Sequence, residues 1–99
     1  MTREGATMES VTLGQMDLNL LRVFEAVYEE GSASRAAIRL DLTQSAISVS
    51  LRKLRDLYQD PLFVSTGRGL EPTLYARQVM PFVSDSLNKI RDSLSLHSG

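Results

Sequence analysis

From Leu42 to Arg55 the chain reads LTQSAISVSLRKLR, a run with two different faces. On a 3.6-residue period, Ile47, Ser50, Leu51, Leu54, Leu57 and Tyr58 gather on one side, and Gln44, Ser45, Ser48, Val49 and Arg52 on the other. No carboxylate falls between Thr43 and Arg55. The apolar stripe of such a helix needs a neighbour, and the residues just before it supply one. Ser32 can cap a short helix whose inner face is Ala33, Ala36, Ala37 and Leu40, where small side chains admit a second helix closely. The turn LDLT then leads to Thr43, the cap of the two-faced helix. A short helix, a tight turn and a second helix with a small-residue contact make a helix-turn-helix.

The flanks extend this unit. Residues 1–16 show no sustained periodicity and are expected to form a disordered head. A helix is predicted to open near Asp17 or Asn19, bury Leu20, Leu21, Phe24, Val27 and Tyr28, and stop at Gly31. Beyond the two-faced helix the period changes. PLFV and GLEP read as short strands around STGRG, where Gly67 and Gly69 permit positive φ, and this predicts a two-stranded wing. Thr73 caps a long final helix reaching about Leu96. In it Ala76, Met80, Val83, Leu87, Ile90 and Leu94 recur at alternating spacings of four and three, the seam of a helix that meets another helix. That seam serves either a dimer or internal packing, and Pro81 within it predicts a bend or an interruption. The expected architecture is mainly α with a small β-hairpin: a head at 1–16, a winged helix-turn-helix at 17–72, and a linker or dimerisation helix with its tail at 73–99.

Composition narrows the chemistry. The 99 residues include no cysteine and one histidine, His97, in the polar tail. Disulfides, thiolate catalysis and cysteine-ligated zinc are therefore out, and no metal site or cofactor is expected. With no glycine-rich phosphate loop before a helix either, an enzyme is not the expectation. No apolar run approaches the roughly 20 residues of a membrane span. The net charge is −1, low for a nucleic-acid binder, yet its distribution is uneven. Asp17–Glu30 holds four carboxylates against one arginine, whereas Ser32–Tyr58 holds Arg35, Arg39, Arg52, Lys53 and Arg55 against Asp41 and Asp56. A docking polyanion feels that local field, not the total, at a Debye length of about 8–10 Å.

The polar face of the two-faced helix is then either solvated, a protein-docking surface, or a reader of the DNA major groove. For the last, Gln44 offers a two-pronged contact to adenine, Ser45 and Ser48 are short hydroxyl donors, and Val49 suits a thymine methyl. Thr43, at the helix start, counts with the candidate DNA contacts, Arg52 reaches guanine or phosphate one turn on, and Lys53 and Arg55 suit phosphates. Ser32, Ser34 and Arg35 open the preceding helix, whose free N–H groups suit a flanking phosphate, and Arg68 sits at the wing tip.

DLNLLRVFEAV, SASRAAIRLDLTQSAISVSLRKLR and DPLFVSTGRGLEPT together resemble the N-terminal DNA-binding domain of LysR-type transcriptional regulators, in the branch of the nodulation, naphthalene-degradation and leucine-operon regulators. The resemblance runs from Asp17 to about Leu96. It implies a winged helix-turn-helix, a linker helix that pairs about a twofold axis to form a homodimer, and a cytoplasmic bacterial regulator that reads an interrupted inverted repeat in double-stranded DNA. It further implies that Gln44, Ser45, Ser48 and Val49 occupy base-reading positions, with Ser34, Arg35 and the wing around Arg68 on the DNA backbone. Two positions depart from the pattern: Ser45 stands where proline is common, and Ser65 where arginine is usual. The family's inducer-binding domain, to which a small-molecule inducer belongs, is not expected in this chain, which ends at LHSG and is expected to be a fragment.

Overall fold

Four helices among the described residues each start at one short capping side chain. Among residues 13–96, which the computed structural model describes, α1 spans Leu18–Glu30, α2 Ala33–Leu40, α3 Gln44–Tyr58 and α4 Leu74–Leu94. Asp17, Ser32, Thr43 and Thr73 precede them in extended conformation. Each accepts from the backbone N–H three residues on, at 2.9, 3.2, 3.0 and 3.1 Å respectively. Gly31 ends α1 in the left-handed region at φ 66°, and Asp41 and Gln59 end α2 and α3 the same way. The head lies outside the described residues through position 12. Its last four residues correct the expectation of disorder over 1–16: residues 13–15 form a helical turn, the Met16 N–H donates to the Leu13 carbonyl, and Met16 packs against the core.

The wing is a two-stranded antiparallel hairpin, β1 (Phe63–Thr66) and β2 (Gly69–Pro72), in register Phe63↔Pro72 to Thr66↔Gly69. Its first strand begins two residues later than PLFV predicts, because Leu62 is left-handed at φ 65°. That conformation costs a leucine about 1–2 kcal/mol. Complete burial of the side chain contributes about 1.5–3 kcal/mol in return. The backbone on either side is also held: Leu62 N–H donates to Asp60 Oδ2 (2.8 Å) and its carbonyl accepts from Thr73 N–H (2.9 Å). Thr73 Oγ1 donates to the same Asp60 oxygen (2.8 Å). One carboxylate thus ties the end of α3, the start of the wing and the cap of α4.

The core forms where these elements converge. Phe24 is fully buried on α1 and meets Tyr58 of α3 and Phe63 of β1 edge-on, with ring centroids 5.8 and 5.7 Å apart. Ala36 and Ala37 are buried, and Ile47, Leu51 and Leu54 fill the inner side of α3. Ala76, Met80, Val83 and Leu87 of α4 are also buried, in the same cluster as the α1 side chains. This corrects the dimerisation seam. Heptad spacing marks the stripe of a helix that meets another helix, and for these four residues that helix belongs to the same chain. Ile90 and Leu94, farther along, are exposed. Pro81 does not interrupt α4, which runs unbroken from Leu74 to Leu94.

One buried charge crosses this packing. Glu25 is 5% exposed, and its carboxylate takes a two-pronged contact from Arg91 of α4 at 2.7 and 3.4 Å. Arg39 of α2 lies 3.9 Å from Glu25 and pairs with Glu29 at 2.8 Å and Glu30 at 3.4 Å. Glu29 first, and the other two acids after it, hold the Arg39 guanidinium above its usual range; Glu25 does the same for Arg91.

Gly69 shows what the wing's position demands. At φ 115° it sits in a region closed to other residues, and a Cβ there would stand 2.5 Å from the Gly31 carbonyl oxygen. Gly67, expected to use positive φ as well, does not, and a Cβ there would meet nothing within 4 Å. Gly69→Ala should therefore cost roughly 2–3 kcal/mol, a melting temperature lower by roughly 10–20 °C, while Gly67→Ala leaves it nearly unchanged. Equal melting of the two variants in a calorimetric scan would contradict the close approach.

Candidate nucleic-acid interface

With Ile47, Leu51 and Leu54 turned inward, helix geometry leaves Gln44, Ser45, Ser48, Val49, Arg52 and Lys53 exposed along one side of α3. Val49 is 45% exposed on an otherwise polar face. The residues of this face that lie nearest the helix N-terminus are short or flexible, so backbone can approach a docked surface closely there. Thr43 is first of all a structural residue: its hydroxyl accepts from Ala46 N–H and sets the helix start.

The second group lies at the start of α2. Ser32 Oγ accepts from Arg35 N–H and lies 3.0 Å from Ser34 Oγ, which puts two hydroxyls and the Arg35 guanidinium at one helix N-terminus. Of the five cations counted between Ser32 and Tyr58, two are engaged inside the chain. Arg39 is held by three glutamates of α1. Arg55, expected on phosphate, donates from Nε to the Pro61 carbonyl (3.0 Å) and braces the loop into the wing. Arg35, Arg52 and Lys53 are exposed and make no ion pair with the described residues. The cationic surface that remains therefore coincides with the exposed side of α3 and the start of α2.

The wing tip carries Arg68, whose side chain is 87% exposed. Its Nε nevertheless lies 3.2 Å from Glu71 Oε2, across the two-residue turn. Sequence reasoning placed Arg68 and overlooked Glu71. The signal was present, since a hairpin closed by two residues brings positions 68 and 71 to the same end. Among the described residues no group of three histidine, cysteine or carboxylate side chains is placed to hold a metal ion, and no helix is long and apolar enough to cross a membrane.

Among the polar exposed residues of α4 stand several large apolar side chains. Phe82 is 75% exposed, Ile90 and Leu94 follow at positions eight and twelve further on, and Leu13 is exposed nearby. A shallow cleft is lined by Leu13, Met16, Leu21, Tyr58, Phe82, Val83 and Ser86.

Residues 18–77 match the family described as bacterial regulatory helix-turn-helix protein, lysR family. The HTH-type transcriptional regulator YbeF of Escherichia coli K12 is 43% identical over 93 residues, covering 94% of this chain and 29% of that protein. A probable transcriptional regulator from Pseudomonas aeruginosa superposes with a TM-score of 0.79 at 34% identity, over 85% of this chain and 28% of the other. The crystal structure of a BenM_DBD/benA site 1 DNA complex superposes with a TM-score of 0.76 at 25% identity, over 84% of this chain and 96% of that one. The chain thus spans under a third of the length of the curated relatives it matches.

Because the first turn of α3 hangs on one hydroxyl, Thr43→Ala should lower stability by about 1 kcal/mol and speed amide exchange at residues 44–47 selectively. Unchanged exchange at those amides would show that the cap is dispensable.

Proposed function

This chain belongs to the LysR family of bacterial regulatory helix-turn-helix proteins, as its helix-turn-helix DNA-binding domain, and on that premise we propose that it reads specific duplex sequences as a homodimer. The observation that carries the reading is the outward side of α3: Gln44, Ser45, Ser48, Val49 and Arg52 are all exposed, Val49 included, on the helix that the fold presents beside the wing. In this reading the N-terminal half of α3 lies in the major groove. Gln44 makes the base contact with most discrimination, Ser45 and Ser48 make shorter ones, and Val49 covers a thymine methyl. Ser32, Ser34, Arg35, Lys53 and Arg68 take phosphates on either side and hold the register, and Arg52 serves base or phosphate. Ser45, lacking a proline ring, supplies a hydroxyl where the family pattern has an apolar contact. The BenM domain, whose complex holds DNA, has the same fold over nearly its whole length, and this supports the docking mode.

Two reading helices about 34 Å apart would match an interrupted inverted repeat. The dimer is assigned to the apolar residues that α4 leaves exposed, Phe82 and the uncovered end of the seam, Ile90 and Leu94. Apolar side chains of that size left in water are the mark of a contact still to be made. Such a domain works where the bacterial chromosome is, in the cytoplasm. It needs no cofactor, and a small-molecule inducer would act through a part of a full-length regulator outside this chain.

Selection of bound sequences from a random duplex pool, followed by titration against salt, tests the reading. Binding should weaken with a slope near −0.9 per phosphate neutralised. Gln44→Ala should cost roughly 1–3 kcal/mol on the selected sequence and little on random DNA, and equal losses on both would refute base reading. Phe82→Glu should sediment as a monomer with unchanged helicity. Leu87→Asp should instead unfold the domain, since it buries a charge in the core. A Phe82→Glu dimer would move the interface elsewhere.

A further inference from the structure

The wing carries its cation and an anion on the same short hairpin. Glu71 on β2 is two residues beyond Gly69, and the register puts it across from Val64. Its Oε2 accepts from Thr66 Oγ1 at 2.8 Å and lies 3.2 Å from Arg68 Nε. The hydroxyl of Thr66 is itself fixed, because Thr66 Oγ1 also accepts from Arg68 N–H at 3.1 Å. The carboxylate is thus built into the turn by a neighbour that holds it in place. Its side chain is 31% exposed, against 87% for Arg68. The Thr66 hydrogen bond, then Arg68, then Arg77 at the start of α4 hold it below the usual carboxylate range, so it is ionised at neutral pH.

We propose that Glu71 limits the wing's affinity for DNA by competing with phosphate for Arg68. This rests on the DNA-binding reading above. A guanidinium that already faces a carboxylate must exchange that partner for a phosphate oxygen when the wing docks. A solvent-exposed pair of this kind is worth about two- to fivefold in an equilibrium constant, small enough to be exchanged and large enough to be measured. The competitor acts on every duplex alike, because phosphates carry no sequence. It therefore lowers overall grip and leaves the discrimination by α3 in place. It also makes the wing's share of binding less sensitive to salt, since screening weakens the internal pair along with the external one.

The test uses the full chain and a random-sequence duplex as probe, titrated at several salt concentrations. Glu71→Gln keeps an acceptor for Thr66 and removes the charge. It should bind about two- to fivefold tighter at low salt, with a salt slope steeper by up to about 0.9, the value for one more phosphate. In an Arg68→Ala background the same substitution should give no gain. A Glu71→Gln variant that binds no tighter overturns the proposal. So does a gain of equal size without Arg68, because the carboxylate would then act by plain repulsion of DNA. Wild-type protein that shows no salt-dependent duplex binding would instead sink the DNA reading itself. Far-ultraviolet circular dichroism of each variant establishes that the compared chains share one fold.

Discussion

The ring of Phe24 is wedged between Tyr58 and Phe63, and the rest of the domain is organised around that contact. Phe24 lies on α1, Tyr58 closes α3, and Phe63 opens the wing, so three elements meet at one apolar centre. Each edge-to-face ring pair adds about 0.5–1.5 kcal/mol to what burial alone provides. In a chain of this size, where a single core supplies a modest surplus over conformational entropy, such terms decide whether the wing has a fixed place. The polar contacts then refine it. Asp60 holds Leu62 and Thr73, and Gly69 lies against the Gly31 carbonyl, so the hairpin cannot slide or tilt without losing both.

Charge is distributed with the same economy of parts. A carboxylate-rich α1 absorbs Arg39 and Arg91. Arg55 is spent on the Pro61 carbonyl. Of the cations between Ser32 and Tyr58, Arg35, Arg52 and Lys53 remain exposed and without an ion pair among the described residues, so a chain with a net charge of −1 keeps positive charge on α2 and α3. Glu25 accounts for part of this arrangement. A buried carboxylate is tolerable only when paired. Its two arginines come from α2 and α4, so this one carboxylate links both helices to α1.

Local chemistry was readable in the sequence, and tertiary demands were not. The caps at Ser32, Thr43 and Thr73 and the stop at Gly31 follow from side chains acting on their own backbone within three residues, and the structure has them where they were expected. The helix-turn-helix was legible for the same reason, since its apolar spacing and alanine pair are short-range patterns. The first wing strand was displaced by Leu62, whose left-handed backbone is imposed by Asp60 and Thr73 and leaves no trace in strand propensity. The seam on α4 was read as a stripe without an owner, because periodicity reports that a face is covered and not by which chain. Arg55 looked like a phosphate contact because its partner, the Pro61 carbonyl, lies beyond the helix, and Arg39 counted toward the cationic field because its glutamates lie on α1. Glu71 went unnoticed because its meaning depends on the turn being two residues long.

The burial of Ala76, Met80, Val83 and Leu87 beneath α1 welds the long helix to the module that carries α3. At about 1.5 Å per residue its 21 residues make a rod of roughly 30 Å. A rigid body turns through one angle everywhere, so a rotation of the module by about 10° would carry the far end of a rod this long through about 5 Å. Soldered in this way, the rod works as a pointer: small changes in the attitude of α3 are written large at residues 90–94.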